Sequence, residues 1–199
     1  MMVSHCAGQT ERIKLAPAVL VTPLYDPARL LAEIGMADCL SNGRLALGLG
    51  SGYQPYEFDR FHRELDNARP MLGEFIDMLD LAFLEETFEF HGEHYDLPST
   101  HISARPVNGL PQIWIAGDHE YGHRLCARKA MCRFLPAAGW APTTNARNVN
   151  SSPKSYPPKG RDPETMPLPV QRFMGVTKHM KKRLPMSTMP VTRCVWHRL

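Results

Sequence analysis

The sequence predicts an α/β fold made of parallel βαβ units, and three observations lead there. Aliphatic and β-branched runs recur at Leu15–Val21, Arg44–Leu49 and Gln112–Ala116, and such runs read as strands buried on both faces, as in parallel sheets. Segments with apolar residues at helical spacing follow each run. Glycine or a turn signal stands at the end of each helix or strand, so the chain alternates strand, helix, strand, helix, strand, helix up to about residue 130.

The elements follow in order. After the first strand, Asp26-Pro27 opens a helix, with Asp26 as N-cap and Pro27 in the first helical position. Leu30, Leu31, Ile34 and Ala37, with Met36 beside them, form its apolar stripe, and Ser41-Asn42-Gly43 ends it. The second strand, Arg44–Leu49, runs into Gly48, Gly50 and Gly52, and Pro55–His62 reads as a short helix or a loop. Asp66–Glu86 is the clearest helix. Met71, Phe75, Met78 and Ala82, interleaved with Leu72, Leu79 and Phe83, repeat at three and four residues, while Glu74, Asp77, Asp80, Glu85 and Glu86 lie mostly on the other face. Phe88–Leu97 alternates weakly, as a short hairpin or extended excursion. Pro111 introduces the third buried strand, Gln112–Ala116, which stops at Gly117-Asp118, and residues 119–130 form the last helix.

Composition narrows the function classes. The net charge of +3 hides two unlike pieces: residues 1–120 hold 8 Lys/Arg against 18 Asp/Glu, a net of −10, and residues 121–199 hold 15 against 2, a net of +13. A content of 43% hydrophobic and 22% charged residues is globular in character. No apolar run approaches the ~20 residues of a membrane span, and the N-terminus lacks the apolar stretch of a secretory signal, so a cytoplasmic protein is expected. Five cysteines without a C-x-x-C pair argue against a disulfide framework or a zinc ribbon.

Ligands of parallel α/β folds bind at the C-terminal ends of the strands. Two loops there carry chemistry. Gly48–Pro55, GLGSGYQP, lets backbone N–H groups approach a phosphate or flat ring, and Ser51 adds a hydroxyl. Ala116–Gly122, AGDHEYG, brings a glycine to the start of a helix, whose N–H groups attract anions. The competing readings are structural. Gly48-x-Gly50-x-Gly52 is not the G-x-G-x-x-G fingerprint, no helix opens straight after it, and tight-turn glycines explain it as well. The Met and aliphatic stripe of residues 71–83 is core packing. His91, His94 and His101 fit a polar loop better than a metal site, because no further Cys or His pair completes one. Asp26 is a helix cap ahead of a catalytic acid, and Ser51 lacks the G-x-S-x-G elbow of a serine hydrolase.

Three motifs in order over about 110 residues then give a resemblance: Leu-Ser-x-Gly-Arg-(apolar)-Gly-x-Gly-x-Gly-Tyr at Leu40–Tyr53, F-x-F-x-G-x-x-Y at Phe88–Tyr95, and P-x-I-W-I-A-G at Pro111–Gly117. Through them the chain resembles the bacterial luciferase-like, flavin-dependent monooxygenases. The resemblance implies a partial (β/α)8 TIM barrel that begins near the family's third strand, without the first two βα units; a complete barrel takes ~250 residues. It implies reduced FMN and O2 oxygenating a small organic substrate, with the flavin supplied by a reductase, and a homo-oligomer. The alternative within the same fold is a deazaflavin-dependent hydride transfer. Gly50, Ser51, Gly52 and Tyr53 would line the flavin, and Ala116, Gly117 and Asp118 would form its phosphate turn, where Asp118 departs from the small hydroxyl residue usual in the family. No general base, and no metal, is assigned.

The expected domains are a luciferase-like barrel segment over residues 10–135 and an irregular, basic, Pro-rich tail over 136–199 with a family-like patch at 162–177. The jump in charge and the loss of hydrophobic period there are read as slips of reading frame, which leaves an inactive fragment as one expectation. A non-enzymatic reading, in which the basic tail binds nucleic acid or anionic surfaces, is the weaker one: Lys181-Lys182-Arg183 is the only tight cluster and no nucleic-acid motif surrounds it.

Overall fold

The structure is a computed structural model and describes residues 2–117 and 119–129, with the backbone of 132–134. Its elements are α1 (Met2–Gln9), β1 (Ala18–Val21), α2 (Pro27–Leu40), β2 (Ala46–Gly50), α3 (Pro55–Arg60), α4 (Ala68–Leu84), β3 (Phe88–His91), β4 (Asp96–Thr100), β5 (Gln112–Ala116), α5 (Glu120–Lys129) and β6 (Cys132–Phe134). Strands β1, β2, β5 and β6 form one four-stranded parallel sheet in that order, and β3 and β4 form a separate antiparallel hairpin. The βαβ rhythm is therefore borne out as a parallel sheet; closure into a barrel is not seen among the described residues. The tail at 136–199, with its patch at 162–177, lies outside them. No helix among the described residues is long and apolar enough to cross a membrane.

The core lies between one face of the sheet and the helices. Leu47, Leu49, Ile113 and Ile115 share that face with Leu72, Phe75, Ile76, Met78 and Leu79 of α4, all 0–5% exposed. Burial of side chains of this size contributes about 1.5–3 kcal/mol each. The expected stripe of α4 is thus core. Its helix begins at Ala68, after a 3-10 turn at Leu65–Asn67, and ends at Leu84, where Glu85 turns extended.

Helix α2 starts as its sequence requires: the Arg29 N–H donates to Asp26 Oδ1 at 2.9 Å, with Pro27 next in line. It ends with Asn42 and Gly43 at φ +53° and +72°, and the Gly43 N–H donates to the Asp38 carbonyl at 3.0 Å. Met36 departs from expectation. It is 52% exposed, because two residues past Ile34 is about 200° around a helix.

Two other expectations are corrected. The first strand is shorter than Leu15–Val21 and is not buried on both faces: Ala18 is exposed and Val19–Val21 are half-buried. Pro17 has no N–H to give the ladder, Leu15 pairs only through an isolated bridge to Leu45, and β1 has one strand neighbour among the described residues. The segment read as a short helix or loop is a helix, Pro55–Arg60, and brings Phe58 into the interior at 1% exposure. In β5 only Ile113 and Ile115 are buried, since the alternate residues face the other side of the sheet. Two elements, α1 and β6, have no sequence forecast. The Arg44 guanidinium holds α1, donating to the carbonyls of Ala7 (3.1 Å) and Ile13 (3.0 Å) and to Thr10 Oγ1 (3.0 Å).

The acidic residues of α4 are bonded rather than merely hydrated. Glu74 accepts from the backbone N–H groups of Glu93, His94 and Tyr95 at 2.8–3.2 Å, pinning the β3–β4 turn to the helix. Asp77 and Asp80 take Lys129 Nζ at 2.8 and 2.5 Å. Burial alone lowers the ammonium pKa of Lys129, but its hydrogen bonds to the two carboxylates outweigh that and leave it raised. Glu74→Gln turns amide hydrogens toward these donors, so urea unfolding should show a loss of about 1–3 kcal/mol; a change below about 0.5 kcal/mol would mean that the three bonds contribute nothing net.

Candidate functional site

The expected site residues sit at the C-terminal ends of neighbouring strands. Gly50 ends β2 and continues into Ser51, Gly52 and Tyr53, while Ala116 ends β5 and continues into Gly117. In the register of these strands Gly48 lies beside Trp114 and Leu49 beside Ile115. A Cβ built on Gly50 would stand 3.6 Å from Ala116 Cβ and 3.1 Å from Val19 Cγ2. The two loops, 66 residues apart in sequence between Gly50 and Ala116, are thus side by side, on the sheet face opposite α4. Glycine at position 50 leaves room there for the side chains of Val19 and Ala116 to come together over the strand. On the same face the indole Nε1 of Trp114 is buried and has no hydrogen-bond partner among the described residues.

Each loop has its own local logic. Gly52 adopts φ +81°, and a Cβ there would meet Val21 Cγ1 at 2.7 Å and Phe58 Cε2 at 2.8 Å, so a tight-turn demand for glycine is present alongside any ligand role. Ser51 is buried, and its hydroxyl donates at 3.4 Å to the Gly52 carbonyl. Tyr53 is 78% exposed. In the second loop Gly117 adopts φ +114° beneath the His119 ring. The Gly122 N–H donates to His119 Nδ1 at 2.9 Å, which makes that nitrogen the acceptor of the ring. One N–H of the α5 first turn is therefore used internally, and the turn as a whole points its N–H groups back toward Gly117. Asp118 lies outside the described residues. Two glycine loops side by side at the strand ends and a helix start beside them fit an anionic group.

The histidines are engaged in the hairpin. His91 Nδ1 lies 2.6 Å from Asp96 Oδ1, and this hydrogen bond raises its pKa. The His101 ring bonds the Glu86 carbonyl at 2.8 Å. No three His, Cys, Asp or Glu side chains converge among the described residues.

Sequence reasoning missed a second feature. A cleft of about 490 Å³ lies between the start of α2 and the β3–β4 turn, with Asp26, Arg63, His94 and Tyr95 among its lining residues. Tyr95 is 5% exposed, and its hydroxyl has no hydrogen-bond partner among the described residues. Burial pushes its pKa up to about 12. The signal was present in the motif ending at Tyr95, whose F-x-F-x-G-x-x-Y pattern supplies the turn that Glu74 binds.

The parallel sheet and its glycine rim define the class of α/β proteins that bind ligands at strand ends. Within that class the sequence profile described as luciferase-like monooxygenase matches residues 1–184. This chain belongs to that family. It is 49% identical over 117 residues to an uncharacterized Sinorhizobium fredii protein, y4vJ, covering 58% of this chain and 33% of the relative. It is 27% identical over 129 residues to the oxygenase component of a flavin-dependent trigonelline monooxygenase of Acinetobacter baylyi, covering 63% and 36%. The fold is similar, at TM-score 0.60 and 24% identity, to the oxygenating constituent of 3,6-diketocamphane monooxygenase from Pseudomonas putida, covering 69% of this chain and 42% of that one. The chain spans about a third of the length of these curated relatives.

The raised pKa of Tyr95 has a definite sign. Its hydroxyl ionises near 10 in the unfolded chain and near 12 in the folded one, so the stabilisation is complete below pH 10 and is lost as pH climbs toward 12. An ultraviolet tyrosinate titration of the protein against Tyr95→Phe should show the missing component at the high value; a component near 10 would contradict the burial.

Proposed function

We propose that this chain is the oxygenating part of a flavin-dependent monooxygenase, in which reduced FMN and O2 oxygenate a small organic substrate and a separate reductase supplies the flavin. The observation that carries this reading is the juxtaposition of the Gly50–Tyr53 loop with the Ala116–Gly117 turn on adjacent strands. The flavin-dependent relative from Acinetobacter and the Pseudomonas structure, which is in complex with FMN, support it.

On this reading Gly50, Ser51, Gly52 and Tyr53 line the ring. Ala116, Gly117 and Asp118 form the phosphate turn, with the first N–H groups of α5 as donors. Bound and reduced, FMN supplies the electrons that activate O2. The protein's own contribution is to place the ring over the β2–β5 floor and to keep water from it. The Trp114 indole N–H is buried on this face, without a partner among the described residues.

Titrating the full chain into FMN, oxidised and photoreduced, tests the reading. A shifted flavin absorption band and quenched flavin fluorescence are expected, and Gly50→Leu should abolish both while the circular dichroism of the fold persists. An unperturbed band at protein concentrations well above micromolar would rule out a working cofactor site.

A further inference from the structure

The sheet is wound in one direction, and its helices lie on one side. The strands stand in chain order, β1-β2-β5-β6, all parallel. Helices α2, α4 and α5 put buried side chains, Leu31, Phe75 and Leu125 among them, into a single core on one face. A doubly wound sheet sends helices to both faces, whereas strands added in order with helices on one side make the wall of a barrel, whose inner face closes on itself. Parallel sheets occur almost only with both faces covered. Here the second face carries Val19, which would touch a Cβ at either Gly48 or Gly50, together with Trp114 and Ala116. All three are half-buried, and Ala18, on the edge strand beside them, is exposed. Four strands are too few to close, since a packed parallel barrel takes eight.

We propose that two molecules of this 199-residue chain close one eight-stranded parallel barrel, with β6 of each copy laid beside β1 of the other about a two-fold axis along the barrel. Two sets of four strands give the number that a barrel needs. One rotation makes both seams, so neither sheet edge is left open. The helices already stand on the outside of such a barrel, and Val19, Trp114 and Ala116 face its interior. Within these 199 residues, positions 135–199 have room for about two further βα units at ~30 residues each, and closure needs four. Charge suits the seam as well: β1 belongs to residues 1–120, with a net of −10, and β6 to residues 121–199, with a net of +13. The Gly50–Tyr53 and Ala116–Gly117 loops lie at the mouth of this barrel, so the ligand rim is walled on every side only in the pair. The seams themselves do not depend on the flavin reading, and they are tested without flavin.

Sedimentation of the full chain should give a mass of twice 22.5 kDa at micromolar concentration. Val19→Lys places a charge on the inner face, and Ala18→Lys places one at the exposed edge, where the fold of a single copy tolerates it. Each should weaken the dimer by at least about tenfold; should Val19→Lys fail to fold by circular dichroism, Ala18→Lys decides. Met36→Lys and Leu40→Lys, on the exposed side of α2, should leave the dimer intact. Amide exchange should slow at residues 18–21 and 132–134 together as protein concentration rises through the dimer range. A monomer at every concentration, whose second face is then left to residues 135–199 or to another protein, overturns the proposal, as does an assembly larger than two. A dimer that survives Ala18→Lys, or that dissociates in the α2 variants, overturns it too, and so does exchange at residues 18–21 that ignores concentration.

Discussion

The site rests on the register in which β2 lies beside β5. With Leu47 beside Ile113 and Leu49 beside Ile115, four apolar side chains meet α4 on one face, and Gly48, Gly50, Trp114 and Ala116 are left to the other. A slip of one residue would turn the leucines toward the glycine floor and bring the glycines against the helix. The hydrophobic core therefore decides where the bare strand ends come to lie. Binding chemistry at the rim is a consequence of packing on the opposite side of the sheet.

Buried or half-buried polar groups hold this register from outside. Asp38 is 2% exposed, and its carboxylate accepts the Leu45 N–H ahead of β2 (3.3 Å) and the Val107 N–H on the way to β5 (2.8 Å). A carboxylate at that depth stands only because backbone donors meet both of its oxygens. Arg44 fixes α1 to the same junction, and Glu74 ties the hairpin to α4. Each joins segments far apart in sequence, which is why removing one should be felt well beyond its own contacts.

Much of this was legible. The Asp26-Pro27 start, the α4 stripe, the three parallel strands and the hairpin follow from spacing and turn chemistry that act within a few residues. The short β1 and the solvent-facing Met36 follow from who the neighbours are, and a single sequence does not show neighbours. The same holds for polar pins. Glu74 reads as one acid on a helix surface, and nothing local tells that three N–H groups 19 to 21 residues away converge on it. Asp38 did leave a trace, since it stands four residues after Ile34, on the buried stripe of α2. In the candidate site, the glycine loops were visible because glycine marks backbone demands. The buried Tyr95 hydroxyl was not, because burial is a property of the fold.

Hydrogen–deuterium exchange with and without FMN tests the central claim most directly, that the β2 and β5 loops make one ligand rim. Added FMN should slow exchange at residues 50–53 and at 116–122 together, with the same concentration dependence. Protection of one loop without the other, or of neither, would contradict the account.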